Sequence, residues 1–127
     1  MIWMAHDEPI ALEARKELVR VRTAGGVIAV SAMSAWEIGM LVTRRRLPTT
    51  KTALGWFNDF VKFGRVGVEA TTPEILVASS ELPRPIHNDP TDRIIIATAR
   101  EHDLTIITRD RAILAYGAAG YVKTLAC

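Results

Sequence analysis

The sequence predicts an α/β fold with parallel strands, on three observations. Helical and strand patterns alternate along the chain, as they do when strands are joined by helical crossovers. Two short runs, Val27-Ile28-Ala29-Val30 and Leu104-Thr105-Ile106-Ile107, have the dense apolar character of strands covered on both faces. With 127 residues, 49% hydrophobic and 24% charged, the chain is large enough for one core and leaves little room for two.

Each element has a local reason. Residues 10–24 place Ile10, Ala14, Leu18 and Val21 on one helical face, with Glu13, Arg15, Lys16, Glu17, Arg20 and Arg22 around the rest. Gly25-Gly26 ends that helix, since glycine accepts the left-handed backbone of a helix stop. The strand over 27–30 follows. Ser34 then caps a helix over 34–46, and Glu37 completes a capping box three residues on. A helix over 54–63 turns Trp56, Phe57 and Phe60 inward and closes at Gly64, and 66–70 reads as an edge strand. Thr72 and Pro73 open a helix to about residue 80. A loop with Pro83 and Pro85 leads to a second cap-and-proline start, Asp89-Pro90. The isoleucines of 93–98 have strand propensity, but the cap signal and a run without a breaker to His102 predict a helix. A buried strand over 104–107, a short helix over 110–116 and a last strand over 121–125 complete the chain.

Composition excludes several classes. No run approaches the roughly eighteen apolar residues of a membrane span, and the N-terminal residues lack the pattern of a secretory signal. Cys127 is the single cysteine, so no internal disulfide forms and a cytoplasmic setting is expected. Sixteen basic residues against fourteen acidic leave a net charge of +2, too small to attract nucleic acid by itself. The cluster Arg44-Arg45-Arg46, with Lys51 behind it, reads as a solvated helix end that could also contact phosphate. Nucleotide-binding glycine loops, nucleophile elbows and zinc-spaced His or Cys pairs are absent. His6, His87 and His102 share no motif.

What remains is a set of acids where elements meet. Glu37 lies in the first turn after the 27–30 strand, Asp92 in the first turn after the proline loop, and Asp110 just past the 104–107 strand. In an open parallel sheet functional groups gather at the carboxyl ends of strands, so three distant acids can meet on one rim. Converging carboxylates repel, and an oxygen-seeking Mg²⁺ or Mn²⁺ relieves the repulsion. Each acid also has a structural explanation, because carboxylates favour the positive end of a helix by about 0.3–1 kcal/mol and Asp110 can cap the helix behind it.

Four segments in this order resemble the PIN-domain ribonucleases, and among them the VapC-type toxins of bacterial toxin–antitoxin modules. They are Ser31-Ala32-Met33-Ser34-Ala35-Trp36-Glu37-Ile38, His87-Asn88-Asp89-Pro90-Thr91-Asp92-Arg93, Ile96-Ala97-Thr98-Ala99 and Thr108-Arg109-Asp110. The resemblance covers essentially the whole chain as a single domain. It implies a three-layer α/β/α sandwich with a central parallel sheet, and a Mg²⁺- or Mn²⁺-dependent RNA endonuclease. It makes Glu37, Asp92 and Asp110 catalytic metal ligands, with Asp89, Thr108 and Ser34 in support. Arg93 and Arg44, Arg45 and Arg46 would position the RNA backbone. A small antitoxin protein is the implied partner and a homodimer is compatible with it.

The chain also departs from that pattern. PIN domains open with a strand that ends in a metal-binding aspartate, whereas Met1-Ile2-Trp3-Met4-Ala5 has the pattern of the helix after it, and Asp7 is misplaced to substitute. The first strand and first acid are therefore expected to be missing, with Met1 at an internal position of a longer protein. That strand would lie between 27–30 and 104–107. The alternative function is a catalytically impaired PIN-like domain that binds an antitoxin. A receiver domain and a haloacid-dehalogenase-like phosphatase rank below both, for want of their acidic motifs.

Overall fold

The computed structural model describes residues 11–86 and 88–127. The expectations for the segment from Met1 to Ala5, for Asp7, Ile10 and His87 lie outside the described residues. Helix α1 spans Leu12–Thr23, strand β1 Ala29–Ser31, helix α2 Met33–Thr43, helix α3 Ala53–Gly64 and strand β2 Gly67–Glu69. Helix α4 (Pro73–Ser80), helix α5 (Pro90–Glu101), strand β3 (Thr105–Thr108), helix α6 (Arg111–Ala118) and strand β4 (Lys123–Ala126) follow. Every helix and strand expected within these residues is present, and the isoleucine run is helical, with Ile94 and Ile96 buried in α5.

Local chemistry accounts for most of the boundaries. Gly25 takes φ 75° just past α1, the left-handed stop that the double glycine predicts. Thr72 caps α4, accepting the Ile75 N–H, and Asp89 caps α5, accepting the Thr91 N–H, each ahead of a proline. Two expected boundaries differ. Ser34 is no cap: α2 begins one residue before it, Ala32 stands at the N-cap position with no side-chain bond, and Ser34 is buried within the first turn. The hydroxyl serving that end is Ser31, which accepts the Met33 N–H at 3.1 Å. It sits where the strand turns into the helix, so its short side chain reaches the orphan donor first. At the end of α3 the left-handed residue is Arg65 (φ 51°) rather than Gly64, which remains helical. The Val66 N–H closes that end on the Val61 carbonyl at 3.2 Å.

Among the described residues the strands form two parallel pairs. Strand β1 pairs with β2 in parallel, with Val30 opposite Val68, and β3 pairs with β4 in parallel, with Ile106 opposite Thr124. Among the described residues no strand joins the two pairs. The break falls between β1 and β3, where the family resemblance sets a further strand. The core divides with the sheet. One cluster gathers Ile75, Leu82, Ile94, Ile96, Ala97, Ile113, Tyr116 and neighbours around α4, α5 and α6. The other packs Val30, Ile38, Leu47, Phe57 and Val66 between β1, α2 and α3. Met33, at the start of α2, packs against the first cluster and so ties the two together.

The strands are less covered than their apolar composition predicts. Val27 is 73% exposed, and Ile106 and Ile107 are half-buried. A strand of a divided sheet is covered on its helix face and along one edge only, so apolar side chains on the other side stay open.

Candidate active site

Two of the expected acids lie close enough for the charge of one to act on the other. Glu37 sits in the second turn of α2 and is half-buried. Asp92 lies in the first turn of α5, whose start is held by the Asp89 cap and Pro90. Helices α2 and α5 pack against one another, which brings these segments together from more than fifty residues apart in sequence. The Glu37 carboxyl is pushed above the usual carboxylate range, first by burial, then by the negative charge of Asp92, and further by that of Asp89. A buried carboxylate facing like charge takes up a proton more readily.

Asp110 carries a cap of its own. It lies exposed at the N-cap of α6 and accepts the Ile113 N–H at 2.9 Å. Its own N–H donates to the Thr108 hydroxyl at 3.0 Å, so Thr108 secures the turn from β3 into α6. Asp89 is likewise engaged as a cap, accepting the Thr91 N–H at 2.9 Å. Among the described residues no three His, Cys, Asp or Glu side chains are arranged to hold a metal ion. The Glu37–Asp92 pair fits Mg²⁺ or Mn²⁺ in kind, because its oxygen donors repel each other until a hard cation lies between them. The described residues supply part of such a site and not a closed one.

The expected cations separate into two groups. Arg44, Arg45 and Arg46 lie exposed at the end of α2, with Arg45 in the left-handed conformation at φ 55°. Arg93 is half-buried, and its Nε finds no partner among the described residues. It lies near Tyr116, whose hydroxyl donates to the Pro83 carbonyl at 2.7 Å. Burial pushes the Tyr116 pKa up, while the positive charges of Arg100 and Arg93 pull against it. Arg93 therefore lies against the first cluster, the one that contains Tyr116, rather than fully in solvent. Helical spacing carries this signal, because Arg93 shares a row with Ala97, which is buried.

Ser34 lies beside this site as a buried polar residue of α2 and not as a surface cap. Pattern reading missed Ser31, whose hydroxyl organises the strand-to-helix turn ahead of Glu37.

Comparison with known proteins identifies the family to which this fold belongs. The PIN domain family model matches residues 1–118. The chain is 29% identical over 112 residues to Ribonuclease VapC22 of Mycobacterium tuberculosis (strain ATCC 25618 / H37Rv), covering 87% of this chain and 81% of that protein. Its fold is similar to a chain in the crystal structure of VapBC2 from Rickettsia felis bound to a DNA fragment from their promoter. The TM-score is 0.60 at 14% identity, over 87% of this chain and 83% of the other. With Glu37 and Asp92 within reach of one another's charge at the starts of two packed helices and the family model spanning most of its length, this chain belongs to the PIN-domain family and is similar to the VapC-type toxins within it.

Proposed function

We propose that this chain is an RNA endonuclease, the toxin of a toxin–antitoxin module, which hydrolyses phosphodiester bonds in the cytoplasm at an acidic Mg²⁺ or Mn²⁺ site. The observation that carries the reading is the half-buried Glu37 carboxyl within reach of the Asp92 charge, its pKa raised first by burial and then by that charge. A fold that only needed helix-end acids would have no reason to bring two of them together against their mutual repulsion. The name of the VapC22 relative supports the ribonuclease assignment, and the VapBC2 complex supports a small antitoxin protein as partner.

In this reading Glu37 and Asp92 hold the cation, with Asp110 as a third acid and Asp89, Thr108 and Ser34 in support. When bound, the cation supplies charge neutralisation at the scissile phosphate and a more acidic water. The protein contributes position: the Asp89 cap and Pro90 fix the first turn of α5, and the Thr108 hydroxyl fixes the turn that carries Asp110. Arg44, Arg45 and Arg46 offer exposed positive charge to the RNA backbone.

A second reading rests on a specific observation, that no three metal-ligating side chains gather among the described residues. It makes the chain a catalytically impaired PIN-like domain that binds an antitoxin. Cleavage of single-stranded RNA with added Mn²⁺, compared between the wild type and Glu37→Gln, separates the two. Nuclease function predicts a loss of at least about 100-fold in the variant, the scale of removing a group that stabilises transition-state charge. Equal background cleavage by both proteins would support the binding module.

A further inference from the structure

We draw no further inference here: the strongest candidate, the exposed apolar surface of Leu12 and Val19 on α1 and Phe63 on α3, two helices that Arg22 ties together by donating to the Gly64 carbonyl at 2.6 Å, carries nothing, because nothing in the structure shows what covers it.

Discussion

Glu37 and Asp110 show how one residue type serves two ends in this chain. Burial and the charges of Asp92 and Asp89 raise the Glu37 pKa, so the folded state binds a proton there more readily than the unfolded chain does. Stability should therefore fall as pH rises from the ordinary carboxylate range through the raised value. Glu37→Gln removes that penalty. Thermal melts should place the variant above wild type at pH 7, with the gap closing as pH falls toward 4; a gap independent of pH would contradict the raised Glu37 pKa. Asp110 has a measurable structural duty, the bond from the Ile113 N–H. Asp110→Ala should cost about 1 kcal/mol in denaturant unfolding, whereas Asp110→Asn, an equally good N-cap, should cost little. Cleavage by Asp110→Asn then isolates the role of the charge: retained stability with lost cleavage assigns Asp110 to the active site, and full activity limits it to capping. Sequence placed both acids at helix starts. Only packing of α2 on α5 decided that Glu37 would come within reach of the Asp92 charge.

At the scale of the element, the helix starts were legible because capping is local. Thr72, Asp89 and Asp110 each accept the backbone N–H that their spacing predicts. The start of α2 was misread because two serines compete for one role, and the tertiary environment buried Ser34 and left the turn to Ser31. Gly117 marks another such environment. A Cβ added there would stand 2.2 Å from the Thr124 Oγ1 and 2.9 Å from its Cβ, so α6 approaches β4 as closely as it does only because that residue has no side chain. Alanine is favoured over glycine in a helix by about 1 kcal/mol, but the clash is with a β-branched residue that has little freedom to turn aside. Gly117→Ala should therefore destabilise by about 1–3 kcal/mol. Partial restoration by a second change, Thr124→Ala, which removes the Oγ1 and Cγ2 contacts and keeps the Cβ, would confirm the contact, and a stabilised single variant would refute it.

At the scale of the whole molecule, the sheet and the core of the described residues both divide between β1 and β3, and backbone geometry says which groups face that division. The Gly67 N–H donates to the Ile28 carbonyl, and the Ala32 N–H to the Glu69 carbonyl. In a parallel ladder alternate residues face alternate edges, so Val30 faces β2 while Ala29 and Ser31 direct their groups to the other edge of β1. The Cys127 N–H bond to Thr108 sets the same alternation on β3, with Thr105 and Ile107 turned away from β4. Native-state hydrogen exchange should protect the amides of Val30 and Ile106 more than those of Ser31 and Ile107, by at least about tenfold. Equal protection along each strand would mean that both edges are paired. The sequence by itself determined the alternation of helices and strands, the helix caps, and the family, because periodicity, capping and motif order are properties of neighbouring residues. Tertiary structure alone decided that the described strands form two pairs, that Arg93 lies near Tyr116, and that the Asp92 charge reaches Glu37. Those outcomes depend on which surfaces remain to be buried once the elements exist, a balance among residues far apart in the chain.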